Sequence, residues 1–530
     1  MAKITLPRAS SPAAAGISSK ALASFIAEIN ANELDIHSVM VVRRGQVAYE
    51  DFRAPYRPED PHILFSVSKS ITAIAVGFAV DEGCVSLNDK VADLLPELRM
   101  YDSHKYLERL KVYHLVTMTA GKKISVTVDR SQKQWVRDYA MGEWSYAPGE
   151  NFSYCNENIY LLCAIICRVT GQSVTDFLTP RLYEPLGIER PYWEHDGCGV
   201  EVGGWGLNLR TEDIAKIAMC YLDEGKFQGS QVIPAHWVRD SSAKQEETKR
   251  DGGTPTGHGD YGYGYCFWRN VIPNSFRMDG MFAQFAWIFP EYDACVVTTG
   301  GEMNMGKIQD IFYAHALSLF DESNLEAADI PKLPEYPALA ATPRNPAIEA
   351  KLNGRCIHFP DNIQKLSRAV KFPPSMMPVF TFFMSHDKAG GIDNLHFNFQ
   401  EDSVKFSWSE GRERNTVLCG MDGRARKCKI KLGGVEFVLS CSAAWEGDEL
   451  HMRLRCVNSV AVRKLTFWFG DNRIVRMLPR SEPALEGLVE GAANGARENI
   501  NNKFIGELAA RLMGAIVLIA EPLHVGYMRK

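Results

Sequence analysis

Covalent catalysis needs a nucleophile and a group to take its proton. The chain offers three serines with a lysine three positions on: Ser66-x-x-Lys69, Ser241-x-x-Lys244 and Ser385-x-x-Lys388. On a helix, residues three apart share a face, so the amine can lie beside the hydroxyl. A serine in the first helical turn also meets free backbone N–H groups and the positive end of the helix dipole, which stabilise a developing oxyanion. The same dipole, with partial burial, lowers the lysine pKa and lets a neutral amine accept the serine proton. Ser66 alone opens a long apolar helical pattern. Ser241 sits in the charged run Ser-Ser-Ala-Lys-Gln-Glu-Glu, and Ser385 lies in β-rich sequence before Gly390-Gly391. The competing role for Ser66 is a helix N-cap.

Tyr154-Cys-Asn156 is the one Tyr-x-Asn in the sequence. In an irregular loop, a phenol and an amide at this spacing can both point into a cleft, Tyr154 relaying a proton and Asn156 holding Lys69 and a substrate amide. The competing reading packs the tyrosine at a helix start with Asn156 as its cap.

Further blocks accompany these motifs in order: His37-Ser-Val-Met-Val-Val-Arg-Arg-Gly45, Leu115-Val-Thr-Met-Thr-Ala-Gly121, Glu184-Pro-Leu-Gly-Ile188 and Gly203-Gly-Trp-Gly-Leu-Asn-Leu-Arg-Thr-Glu-Asp-Ile-Ala215. With them, residues 10 to 322 resemble the serine β-lactamase and penicillin-binding-protein-like superfamily, in its class C β-lactamase, esterase and D-aminopeptidase branch. The resemblance implies Ser66 as nucleophile, Lys69 as its proton acceptor, Tyr154 as partner base and Asn156 as orienting, substrate-binding amide.

The third block of that pattern reads Lys or His, a small residue, then Gly. Here the matching run puts Met278, Asp279 and Gly280 at those positions. Gly280 still allows close backbone approach, and the Met281 N–H can complete an oxyanion hole with that of Ser66. The basic residue that helps hold a substrate carboxylate is missing. The block is similar to esterase and amide-hydrolase members reading Gly-x-x-Gly-Gln, with Ala283 replacing the second glycine before Gln284. Asp279 is either a hydrogen-bonded structural residue or an attractor for an amine-bearing substrate.

The resemblance therefore implies a serine hydrolase that cleaves a small ester or amide through an acyl-enzyme on Ser66, with esters ahead of β-lactams. The alternatives are a β-lactamase or D-aminopeptidase-type peptidase, and a catalytically silent binding protein of the same fold. No metal or organic cofactor is implied.

These residues need elements to hold them. Helical spacing covers Lys20 to Asn30 and Ser66 to Glu82, and Ser38 to Phe52 reads as two strands turning at Arg44-Gly45. Helices and turns predominate from about 89 to 204. Strand patterns return over Tyr261–Arg269, Phe276–Phe289 and Ala294–Thr299, followed by a helix over Gly306–Phe320. The expected fold is α+β. A β-lactamase-like domain over 1–325, an antiparallel sheet flanked by helices plus a helical subdomain at 89–204, precedes a proline-rich linker over 326–350. A β-rich C-terminal domain over 351–530, antiparallel sheet or barrel, ends in a helix near Ile500–Ala520. Its runs, such as Val404-Lys-Phe-Ser-Trp408, alternate with period two. Lys427, Lys429 and Lys431 read as the wet face of one strand, whereas the aromatic run Tyr261-Gly-Tyr-Gly-Tyr265 with Phe267 and Trp268 reads either as core or as cleft lining.

Composition bounds the rest. The 530 residues carry 59 Lys+Arg against 64 Asp+Glu, a formal charge of −5, which argues against a nucleic-acid partner over the bulk surface. The apolar stretch Leu512–Ala520 is far short of a bilayer span, so no membrane partner is expected. Thirteen cysteines with no Cys-x-x-Cys, behind an N-terminus without a signal-like apolar run, suit a cytoplasmic protein with reduced thiols. The sequence leaves the oligomeric state open.

Overall fold

The computed structural model describes residues 4–122, 135–249, 256–360, 375–378, 391–470, 473–487 and 521–529. The chain forms two compact units that part between Pro334 and Glu335.

The first unit is built on an antiparallel sheet of six strands: β1 (Ile36–Arg43), β2 (Gln46–Phe52), β3 (Trp268–Arg269), β4 (Phe276–Gly280), β5 (Gln284–Phe289) and β6 (Ala294–Gly300). Their order is β2-β1-β6-β5-β4-β3. The β1–β2 hairpin turns where expected, with both Arg44 and Gly45 at positive φ, as tight hairpins require. Helix α1 (Ser19–Ala31) starts on a Ser18 side chain that accepts from Ala21 N, and its Leu22, Phe25, Ile26 and Ile29 are fully buried. They pack with Phe312 and Trp287 into a core between one face of the sheet, α1 and a late helix over Met305–Leu319. Three further helices matter to the site: α2 (Val67–Asp81), α3 (Asn156–Thr170) and α4 (Thr211–Leu222). Helix α4 packs on β6, β5 and β1, while α2 lies against α3 and β4.

Two strand readings change. Phe276–Phe289 is a hairpin, because Phe282 and Ala283 both take φ of 65° and fold β5 back on β4 with Gly280 opposite Gln284. Of Tyr261–Arg269, Trp268–Arg269 alone is a strand; Gly262 and Cys266 at positive φ break the remainder.

Among the described residues of the second unit ten strands follow: β7 (Cys356–His358), β8 (Ile392–Phe399), β9 (Ser403–Glu410), β10 (Glu413–Gly420), β11 (Arg426–Leu432), β12 (Val435–Glu446), β13 (Glu449–Cys456), β14 (Val462–Phe469), β15 (Ile474–Glu482) and β16 (His524–Met528). Their order is β10-β9-β8-β7-β16-β15-β14-β13-β12-β11, and pairing of β10 with β12 at Gly420 and Ser442 closes nine of them into a barrel. Side chains complete the seam: Asn415 bonds both Lys431 N and O, and the Cys428 thiol bonds Leu418 N and O. Lys427, Lys429 and Lys431 face solvent while Ile430 and Leu432 face inward. The prolines before the barrel hold irregular chain up to Asn345. Pro346, however, opens a helix over Pro346–Leu352, at the first position, where its missing N–H costs nothing. The terminal helix expected near Ile500–Ala520 lies outside the described residues.

A buried polar cluster sits among the apolar side chains of the barrel. Arg463 pairs with Glu521 at 2.6 Å and donates to Met376 O, while Glu410 accepts from Met376 N and Trp408 Nε1. Burial pushes the Glu410 carboxyl up to about 7. Because the folded value exceeds the unfolded one, the stability Glu410 contributes is complete below about pH 4.5 and is lost as pH rises through 7. Denaturant melts of the full chain should therefore show barrel stability falling by about 2 kcal/mol between pH 5 and 8. Glu410→Gln should flatten that slope, and an unchanged slope would refute the assignment.

Candidate active site

Ser66 occupies the N-cap position of α2, yet its hydroxyl makes no capping bond. It is engaged by Lys69 instead: Nζ donates to Ser66 Oγ at 2.7 Å and to the Gly204 carbonyl at 2.6 Å. Helical spacing explains the first contact. The second comes from the Gly203-Gly204 segment passing over α2. A Cβ at Gly203 would lie 2.5 Å from Cys163 Sγ, so only glycine lets this backbone come close enough to α3. Lys69 is 1% exposed, and burial lowers its amine pKa to about 7. Half of the amine is thus neutral near pH 7, where an exposed lysine would be charged.

Tyr154 lies in the loop before α3, where its hydroxyl comes near enough to that of Ser66 for the two to interact. Its ring covers the Lys69 amine, 4.9 Å from centroid to Nζ, and stacks on Trp268 at 5.7 Å. Burial pushes the phenol pKa well up, so Tyr154 stays protonated across the pH range in which Lys69 titrates. Asn156 is the first residue of α3; the cap position is Cys155 and carries no side-chain cap bond. The expected contact of Asn156 with Lys69 is made instead by the Gly204 carbonyl. The amide rests against Gly204 and has no hydrogen-bond partner among the described residues.

The β4–β5 hairpin forms the opposite wall. A Cβ at Gly280 would stand 2.4 Å from Leu64 O and 3.1 Å from Val67 N, so this glycine lets the hairpin touch the backbone that carries Ser66. Met281, next along, is exposed. The left-handed Phe282 and Ala283 are pinned from behind: the Gln284 amide donates to Phe282 O and Gly300 O, and Thr298 Oγ1 donates to Ala283 O. Met278 is fully buried, and Asp279 bonds the buried Arg277 at 2.8 Å.

The aromatic run divides between the two roles expected of it. Tyr263, Tyr265 and Phe267 are buried, while Trp268 stays partly exposed beside Tyr154 and Phe152. Lys244 faces Glu247 rather than a nucleophile. Sequence reasoning missed Gly204 as a lysine partner, and a carbonyl leaves no mark in a sequence. It also missed the strain at Phe65, φ 45°, immediately before Ser66.

The sequence profile of the Beta-lactamase family matches residues 27–304, just over half of the chain and all of the site. The chain belongs to the β-lactamase family. Among curated relatives of this β-lactamase-family chain, the 6-aminohexanoate-dimer hydrolase of Paenarthrobacter ureafaciens is 26% identical over 282 residues, covering 49% of the chain and 70% of the relative. Protein flp of Staphylococcus aureus (strain NCTC 8325 / PS 47) is 29% identical over 190 residues, 32% of the chain and 38% of the relative. A solved penicillin-binding protein homologue from Caulobacter crescentus superposes with a TM-score of 0.46 at 18% identity, over 56% of this chain and 98% of that one. The chain is a β-lactamase-fold hydrolase of the serine β-lactamase and penicillin-binding-protein-like superfamily.

Because the Gly280 contact sets the width of the site at Ser66, Gly280→Ala should slow turnover roughly 100-fold, the cost of about 1 Å of misplacement. Equal rates in the two proteins, measured with any substrate the wild type cleaves, would show that the hairpin tip is not part of the site.

Proposed function

We propose that the β-lactamase-family unit cleaves a small ester or amide through an acyl-enzyme on Ser66. The observation that carries this reading is the buried, depressed Lys69 amine 2.7 Å from the serine hydroxyl. Neutral Lys69 takes the Ser66 proton as Oγ bonds to the substrate carbonyl carbon. The N–H groups of Ser66 and Met281 receive the oxyanion. As the bond to the leaving group breaks, Tyr154 hands it a proton, drawing in turn on charged Lys69. A water then cleaves the acyl-Ser66 ester by the same steps in reverse. Asn156, its amide unengaged, orients the substrate.

The relative named 6-aminohexanoate-dimer hydrolase supports amides as well as esters among the substrates. Met278 argues against fast β-lactam hydrolysis, because a buried thioether offers nothing to a substrate carboxylate.

A fluorophosphonate should label Ser66, as read by peptide mass, and Ser66→Ala should abolish turnover. Label elsewhere, or full activity in Ser66→Ala, sinks the proposal. In a panel of nitrophenyl esters, D-amino-acid anilides and a chromogenic cephalosporin, esters should lead and the cephalosporin should be slow. Since the lysine must be neutral, kcat/KM should rise with pH through an apparent pKa near 7 and then level off. A profile flat from pH 5 to 9 would remove Lys69 from the role of base.

A further inference from the structure

Two demands meet at Tyr154. Its hydroxyl must be free to pass a proton, yet the ring must keep that hydroxyl within reach of Ser66 and the departing group. Side-chain torsions are soft. A swing of about 30° costs little, and at the far end of a tyrosine it carries the oxygen out of proton-transfer reach. The loop backbone is tied on both sides, Ser153 N donating to Met118 O at 2.7 Å and Cys155 N to Met118 Sδ at 3.5 Å. Apart from the approach to Ser66, no hydrogen bond among the described residues holds the phenol.

Other rings hold it instead. Trp268 stacks on Tyr154 with centroids 5.7 Å apart and planes 26° apart, and Tyr263 meets Tyr154 edge to face at 6.4 Å. Tyr263 meets Trp268 in the same manner at 4.8 Å, and Phe152 lies against both. Ring pairs at these separations attract beyond what their buried area supplies. Both holding rings are anchored away from Tyr154. Tyr263 is 1% exposed, and its N–H and carbonyl pair with those of Glu246 at 3.0 Å. Trp268 stands on β3 opposite Arg277 of β4, whose guanidinium carbon lies 5.8 Å from the indole centroid. That guanidinium is fixed by four hydrogen bonds, to Asp279 at 2.8 Å and to Arg269 O, Asn270 Oδ1 and His258 O at 3.1 Å. A row of contacts thus runs from the sheet through Arg277, Trp268 and Tyr154 to the Lys69 amine.

We propose that Trp268, backed by Tyr263 and Arg277, is a positioning residue that holds the Tyr154 phenol where it can hand its proton to the leaving group. The role rests on the hydrolase reading above and goes beyond it. As the bond from the tetrahedral carbon to the leaving oxygen breaks, that oxygen takes the phenol proton, and Tyr154 regains one from charged Lys69, which holds the proton taken from Ser66. Trp268 itself moves no proton. Its effect is therefore confined to leaving groups that need one: an alkoxide does, and a nitrophenolate does not.

The test compares ethyl butyrate with nitrophenyl butyrate, which form the same acyl-Ser66, on the full chain. Trp268→Leu should lower kcat/KM on the ethyl ester roughly 100-fold. The nitrophenyl ester should lose far less, so the nitrophenyl-to-ethyl ratio should rise by at least about 10-fold. Trp268→Phe, which keeps a ring to stack on, should bring the ratio back towards wild type, and Tyr154→Phe should raise it at least as far as Trp268→Leu does. A role confined to folding slows both esters alike, and a role as a wall for the substrate ring slows the nitrophenyl ester more; either result overturns this inference alone. So does a ratio that Tyr154→Phe leaves unmoved, or a wild type that cleaves the nitrophenyl ester and not the ethyl ester. Fluorophosphonate labelling of the same samples separates the remaining failures. A wild type with neither turnover nor label on Ser66 overturns the hydrolase reading and this inference with it, whereas label without turnover of either ester shows a nucleophile with no working proton donor and overturns the inference alone. Should Trp268→Leu fail to label, Trp268→Met is read in its place, and loss of label in both shows a folding role and overturns the proposal.

Discussion

Lys69 carries an amine into a place closed to water, between two neutral acceptors, the Ser66 hydroxyl and the Gly204 carbonyl. Moving its pKa from 10.5 to about 7 corresponds to on the order of 5 kcal/mol set against the charged form. That is a large fraction of what holds a domain folded, so the surroundings must enclose this site firmly. Helix α2 shows how: every residue from Val67 to Ala79 is buried, leaving the helix no solvent face before its last two residues. It is closed by β4 on one side and α3 on another. The Gly203-Gly204 segment completes the enclosure by approaching α3 where no side chain would fit.

The same closeness accounts for the strain. Phe65 adopts φ of 45° immediately before Ser66, and Phe282 and Ala283 adopt 65° at the facing hairpin tip. Their two strained segments meet, with the Phe65 and Phe282 rings 4.9 Å apart. Such conformations in residues with a Cβ cost roughly 1–3 kcal/mol each and persist only where neighbours dictate them. Here Gln284 and Thr298 do so, reaching from β5 and β6 to the carbonyls of the turn. The sheet interior thus fixes the hairpin tip, and the tip fixes the space beside Ser66.

Those particulars decide what could be read from sequence. The helix carrying Ser66 and Lys69 was legible because Ser66 and Lys69 sit at helical spacing at the head of a long run that is mostly apolar from Ile71 to Val80. The β1–β2 hairpin was legible because Arg44-Gly45 supplies its turn. The β4–β5 hairpin was not, since its turn falls on the apolar Met281-Phe282-Ala283 and not on Asp279-Gly280, which end β4; tertiary hydrogen bonds from Gln284 override local preference there. The aromatic run at Tyr261–Trp268 failed as a strand for a related reason, with Gly262 and Cys266 bending a segment whose side chains suit a sheet. Asn156 was expected to hold Lys69, and that contact goes instead to the Gly204 carbonyl.

Burial alone does not mark Lys69 as chemical, because two other lysines among the described residues are as deeply buried. Lys122 is 2% exposed and bonds Asp102 at 2.8 Å together with the carbonyls of Ala140 and Gly142. Lys216 is 1% exposed, with Asp213 at 3.6 Å and the Ile4 carbonyl. Desolvation lowers the pKa of all three. In Lys122 and Lys216 a carboxylate within ion-pair distance opposes that shift and favours the ammonium form, which suits a structural tether. Lys69 has a serine hydroxyl in the corresponding place, and Asp279, the carboxylate two positions beyond Arg277, is held by that guanidinium instead. A salt bridge to Lys69 would have made the site more stable and left the amine unable to accept a proton. The absence of a bonded carboxylate at one of these three buried lysines is therefore what sets Lys69 apart from the two tethers.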